Sequence, residues 1–174
     1  MLVCVVGAGV YLYQLQLPKK IDVETAAVII TNDRADSIEP TVVRIHGKLH
    51  KPLFKQHYFE GSFIIDGIEA TKKDWQNKIP IVKHNNGINM GSLFYSSPIK
   101  PHDFTFVSTI YFDDEFENIN IWTAASWLGG DEKDSLFIVT GTNYEQAVET
   151  QNQLRKQFDN DDWFVPKAGE MSSS

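Results

Sequence analysis

Four carboxylates fall within the five residues Asp113-Asp114-Glu115-Phe116-Glu117. Carboxylate oxygens at that density are the hard ligands Ca²⁺ takes, so Asp113, Asp114, Glu115 and Glu117 form the candidate metal set. A pair of them could equally act as acid and base in glycoside hydrolysis. Electrostatics argues for a plainer arrangement. Neighbouring carboxylates without a cation repel one another, which favours a solvated turn between Phe112 and Ile119 with Phe116 tucked inward.

Trp122 and Trp127 bracket small residues ahead of Gly129-Gly130-Asp131-Glu132, and Tyr111 stands just before the acidic run. Rings beside acids and flexible glycines suit a sugar or peptide surface. These three aromatics are the candidate ligand-binding residues, set against the alternative that they line the rim of a core. The histidines are His46, His50, His57, His84 and His102. On a strand, His46 and His50 stand ~13 Å apart, too far to share one metal. No nucleophile elbow, phosphate loop, EF-hand or zinc-protease motif is present. Cys4, the sole cysteine, excludes a disulfide framework and reads as a small apolar residue. No catalytic residue is assigned, and Ca²⁺ is the one cofactor the residues suggest.

The elements that must position these groups repeat with period two. In Thr41–His50, Val43, Ile45, Gly47 and Leu49 share one face; in Tyr58–Asp66, Phe59, Gly61, Phe63 and Ile65 do. A one-residue slip would turn every side chain over. Pairing numbers that sum to 108 sets Leu49 opposite Phe59, Gly47 opposite Gly61 and Lys48 opposite Glu60. The glycine pair leaves a dent for a bulky side chain such as Trp75, Phe94 or Trp122. Further strands read at Ala26–Thr31, Ile79–Lys83, Ile88–Tyr95, Phe104–Phe112, Glu117–Thr123 and Leu136–Thr140, the last apolar on both faces and therefore central. Asp66-Gly67, Asn86-Gly87 and Gly129-Gly130 are turn signals. One helix follows, with Thr142 and Glu145 as a capping box and Tyr144, Ala147, Val148, Gln151, Leu154 and Phe158 as its apolar stripe. The expected fold is mainly β, a β-sandwich or rolled antiparallel sheet with one C-terminal α-helix.

The 174 residues, 42% hydrophobic and 22% charged, suit a single folded domain. The net charge of -7 speaks against nucleic acid as a partner. Its distribution is uneven. Residues 1–100 hold 12 Lys+Arg against 9 Asp+Glu, and residues 101–174 hold 4 against 14. Met1–Tyr13 carries no charge. Gly7-Ala8-Gly9 lacks the third small residue of a dinucleotide-binding turn, and Pro18 would stop the following helix. The run reads better as the end of a membrane anchor, leaving through Tyr11 and Tyr13 to Lys19-Lys20. It is shorter than a bilayer core, as a start placed too late would make it.

The expected organisation is an anchor-like segment at 1–17, one β-rich domain at 18–160 and an acidic tail at 161–174. The expected function is a non-enzymatic, membrane-tethered binding module on the extracytoplasmic side. Its partners would be the membrane and a protein or polysaccharide. The alternatives are a small hydrolase or carbohydrate- or Ca²⁺-binding domain using Asp113–Glu117, and a cytosolic regulatory domain.

Overall fold

The register expected for Thr41–His50 against Tyr58–Asp66 is the one observed. Val43 pairs with Ile65, Ile45 with Phe63, Gly47 with Gly61, Lys48 with Glu60 and Leu49 with Phe59. The dent at the glycine pair is filled from within. The Phe59 ring lies over Gly47, with its Cζ 2.7 Å from where a Cβ would stand. Phe94 and Trp122 are exposed instead, and Trp75 lies outside the described residues. The structure, a computed structural model, describes residues 17–31, 37–72, 77–96, 104–128 and 134–158, with backbone alone at 77, 96, 104–106 and 127–128. The leader at 1–16 and the tail at 161–174 therefore fall outside it. Among the described residues no helix is long and apolar enough to cross a membrane.

Among the described residues eight strands follow in chain order: β1 (Lys19–Thr31), β2 (Ile38–His50), β3 (Tyr58–Ile65), β4 (Asn77–Asn85), β5 (Ile88–Ser96), β6 (Phe104–Asp113), β7 (Ile119–Ala124) and β8 (Ser135–Thr140). Each pairs antiparallel with the next, and β8 also pairs with β1, from Ala27–Thr140 to Thr31–Leu136. The sheet is thus a closed barrel. Of the two expected forms, sandwich or rolled antiparallel sheet, this corrects the sandwich: closure depends on β1 meeting β8 across more than a hundred residues. β1 also begins well before Ala26, because Ile21 and Val23 continue the inward alternation through a charged stretch.

Strand alternation divides the apolar residues into two cores. The inner one fills the barrel with Ile45, Phe59, Phe63, Leu93, Ile110, Phe112, Ile121 and Ile138, among others. Tyr95 belongs to it, its hydroxyl donating to the Phe63 carbonyl. At one mouth it takes in Phe116 from the β6–β7 turn. At the other it takes in Ile68, next to a 3-10 turn at Glu69–Thr71. The Thr71 hydroxyl locks that turn through the Ile65 backbone and the Ile68 carbonyl.

The outer core lies beneath α1 (Tyr144–Phe158). There Val28, Ile30, Ile88, Tyr111, Phe137 and Val139 meet Ala147, Leu154 and Phe158. Both faces of β8 are buried for this reason, as its sequence suggests. The helix cap sits one residue later than expected. Asn143 Oδ1 accepts the Gln146 N–H at 2.9 Å, and Gln146 Oε1 accepts from the Thr142 N–H and hydroxyl. At the far end, the β4–β5 hairpin satisfies helix carbonyls that have no partner within the helix. Asn85 Nδ2 donates to Phe158 O and Asn86 Nδ2 to Gln157 O, both at 2.9 Å. That hairpin turns at Asn86-Gly87, with φ of 47° and 85°, the positive pair a tight two-residue turn requires.

Candidate functional site

The acidic run forms the β6–β7 turn at one barrel mouth, and its four carboxylates face separate tasks. Asp113 Oδ1 accepts from the Glu115 and Glu117 N–H groups at 3.2 and 2.9 Å, and Oδ2 from the Asn118 N–H and side-chain amide at 3.1 and 2.7 Å. These bonds hold Phe116 at a φ of 59°, which turns its ring down into the barrel. The ring stacks on Phe112 with centroids 4.3 Å apart and meets Phe59 at 5.1 Å. Phe116 is tucked inward as the sequence suggested. Glu115 reaches across to Lys19 at the start of β1. Glu117 is exposed.

Asp114 leads into a polar chain. Its Oδ2 pairs with Lys51 from the β2–β3 loop, and its Oδ1 accepts from Asn89 Nδ2 at 2.9 Å. Asn89 is fully buried, and its Oδ1 lies 2.8 Å from His84 Nδ1. The His57 ring stands edge-on to His84 with centroids 6.0 Å apart. Burial pushes the Asp114 carboxyl up, but hydrogen bonds from Lys51 and Asn89 and the charges of Lys51 and His84 outweigh it and hold the group below its usual range. His57 is pushed below its ordinary value by burial first, then by the Lys51 and His84 charges, against the pull of Asp114. Among the described residues no group of three or more His, Cys, Asp or Glu side chains is arranged to hold a metal. Within the candidate Ca²⁺ set Asp113, Asp114, Glu115 and Glu117, Asp113 bonds within its own turn, Asp114 to Lys51 and Asn89, and Glu115 to Lys19.

Beside this turn an open groove of about 430 Å³ runs between the barrel and the first turns of α1. Glu117 and Asn118 form one wall; Thr142, Gln146, Glu149, Thr150 and Gln153 form another; Thr25 and Thr140 lie on its barrel side. The lining holds two carboxylates, several hydroxyls and amides, and no Lys, Arg or His. Gly141, at a φ of 147°, lets the chain turn tightly from β8 toward the helix, with the Ala147 nitrogen only 3.0 Å from where a Cβ would stand. Several of the hydroxyls are already committed. Thr140 Oγ1 accepts the Ile119 N–H, and Thr150 Oγ1 donates to Thr140 O.

Tyr111 and Trp122 do not line this groove. Tyr111 is 1% exposed and packs edge-on against Phe158 at 5.7 Å, inside the outer core. Trp122 is 38% exposed on the outer face of β7, opposite Thr109 and Phe137 in the ladder. The Trp127 side chain lies outside the described residues. His46 and His50 stand apart as expected: His46 Nδ1 lies 3.3 Å from Asp22 Oδ1, and His50 stacks on Tyr58 at 4.4 Å.

Sequence reasoning missed the Lys51–Asp114–Asn89–His84 chain. Its members come from four separate segments, and a single Asn in a strand carries no signal of burial. It also missed Glu149 as the second carboxylate of the groove, although Glu117 was in the candidate set. No family model, curated protein or solved structure matches the chain.

Proposed function

We propose that the chain is a non-enzymatic binding domain, held at a membrane by its N-terminal apolar segment, with its ligand seated in the groove between the barrel and α1. The groove's lining carries this reading. Glu117 and Glu149 stand among neutral hydroxyl and amide groups with no basic lining residue. Such a surface attracts a positively charged, hydrogen-bonding ligand, such as a Lys- or Arg-bearing segment of a partner protein. The groove's lining includes Glu117 but neither Trp122 nor Asp113 to Glu115, which supports binding there over the hydrolase alternative. A body without cysteine after Cys4 suits the oxidising, extracytoplasmic side of the membrane.

The test is titration of the full chain, in phosphatidylcholine vesicles, with a tetralysine peptide followed by calorimetry. Replacing both Glu117→Gln and Glu149→Gln should weaken binding about tenfold, the loss of roughly 1.4 kcal/mol from two partly exposed charge contacts. Equal binding by the parent and the double variant would sink the assignment of the groove.

A further inference from the structure

The β2–β3 loop presents an exposed apolar tip that the fold does not use. Phe54 is 95% exposed and Leu53 43% exposed, between Lys51 and Lys55. A phenylalanine left in water at the apex of a loop forgoes the burial that stabilises Phe59, Phe63, Phe112, Phe116 and Phe137. Its position on the barrel gives the tip a meaning. In the β1–β2 ladder paired numbers sum to 68, with Lys19 opposite Leu49. Continued two residues outward, that register sets Leu17, itself 56% exposed, level with Lys51. The chain therefore leaves the barrel toward its apolar leader beside the base of the loop that carries Leu53 and Phe54.

We infer that the β2–β3 loop is a second membrane contact, with Leu53 and Phe54 entering the interfacial layer of the bilayer that receives the N-terminal segment. This rests on the tether reading above and goes beyond it by fixing which end of the barrel faces the lipid. Aromatic and aliphatic side chains are favoured at that depth, and Lys55 and Lys20 suit the phosphate level. The charges around the loop are largely matched. Lys51 pairs with Asp114, Lys19 with Glu115, and Lys20 lies 3.8 Å from Asp22. Apolar insertion therefore drives the contact, and it forms on neutral phosphatidylcholine without a requirement for anionic lipid. The groove lies at the same barrel mouth, around Glu117, so the contact also holds the ligand site close to the membrane surface.

The experiment keeps Phe54 in place. The full chain carrying Cys4→Ser and Lys55→Cys, labelled at position 55 with an environment-sensitive fluorophore, is mixed with phosphatidylcholine vesicles containing a spin-labelled lipid. A second protein carries the label at Glu69→Cys, in the 3-10 turn at the opposite barrel mouth. Quenching at 55 should exceed that at 69 about threefold or more, and adding Phe54→Ser should remove most of the difference. Because Phe54 is almost wholly exposed, that substitution leaves the fold intact. If the chain floats with the vesicles but 55 is quenched no more than 69, the loop contact is overturned while the tether stands. If the chain does not float, both fall. Protection of position 55 from aqueous iodide that is the same without vesicles would assign the tip to a second copy or to residues 1–16, and would overturn the bilayer contact.

Discussion

Along β1 the outward side chains change character within one strand. Lys20, Asp22 and Glu24 are exposed, while Val28 and Ile30, a few residues further on, are completely buried. The same change divides the whole outer surface of the barrel. On the β1–β3 side, Arg44 bridges Glu24 at 3.2 Å and Asp66 at 2.6 Å, and His46 faces Asp22, all in water. On the β5–β8 side, Tyr111, Phe137 and Val139 are sealed beneath α1. The backbone ladder is continuous across both, so the contrast isolates what the outward side chains contribute. Burying one large apolar side chain stabilises by ~1.5–3 kcal/mol, whereas an exposed ion pair contributes ~0–1 kcal/mol. The covered side should hold the fold together, and the open side should mainly keep it soluble.

The strongest way to break that contrast is to empty the covered side. Phe158 is fully buried against Tyr111 at the last position of α1. Phe158→Ala should cost ~3–5 kcal/mol, through lost burial and a cavity that cannot collapse fully. Val82 offers the matching test, since it is 65% exposed. Val82→Ala should stay within ~0.5 kcal/mol of the parent. Urea unfolding of the two variants measures both, and equal losses would remove the distinction between the sides.

This division was half legible in the sequence. The stripe of Ala147, Gln151, Leu154 and Phe158 announced a helix with one buried face, and the unbroken apolar run Leu136–Val139 announced a strand buried on both. Parity narrowed the β2–β3 register to even sums, because only an even sum keeps Val43, Ile45, Phe63 and Ile65 on one face, and the expected sum of 108 is the one observed. Closure did not follow. Alternation is a local property, and a sandwich and a barrel demand the same pattern from each strand; the meeting of Val28 with Val139 leaves no mark on either segment. The site was less legible for a related reason. Asp113–Glu117 stood out by density, yet their roles depend on Lys19, Lys51, Asn89 and Asn118. Only Asn118 is close in sequence.

Among the described residues the covered side has a polar seam, and it sharpens the contrast. Gln151 Nε2 donates to Asn120 Oδ1 at 3.0 Å beneath α1, while Gln151 Oε1 and Asn120 Nδ2 are buried without a protein partner. Gln151→Ala should cost ~1–3 kcal/mol, because Asn120 then loses its remaining partner. Replacing both together, Asn120→Val with Gln151→Leu, should recover most of that loss or exceed the parent. A polar pair with half its valences unmet is less favourable than apolar packing. A double variant no more stable than Gln151→Ala, read by thermal unfolding, would show that the seam contributes more than its visible hydrogen bond.

On the open side the expected effects are smaller. Arg44→Ala removes contacts to Glu24 and Asp66 at once, yet all three side chains are substantially exposed. Its loss should stay at or below ~1 kcal/mol and shrink further in 1 M salt, where the Debye length falls to ~3 Å. A salt-independent loss comparable to that of Gln151→Ala would mean the guanidinium stem packs on the sheet rather than pairing across it.

The weakest lever is pH, and it separates the two sides by screening rather than by size. Asp66 is held below its ordinary value first by the Arg44 hydrogen bond. Asp114 is held down by Lys51, Asn89 and His84 despite an opposing push from burial. A carboxyl whose folded pKa is depressed stabilises fully above its unfolded value near 3.8. That contribution is lost as pH falls below this value toward the folded pKa, because the unfolded chain then binds more protons. His57 is also depressed, so its share is complete above 6.5 and is lost between 6.5 and its lower folded pKa. Stability should therefore decline in two steps on acidification, first through His57 and then through the carboxylates. High salt should weaken the Asp66 part more than the Asp114 part, since Arg44 and Asp66 sit in water while Asp114 is half-buried. Urea unfolding of His57→Gln and Asp114→Asn between pH 7 and 3 assigns the steps. If the upper step persists in His57→Gln, the first proton belongs to a different histidine, and His84, the neighbour that faces it, is the one to replace next.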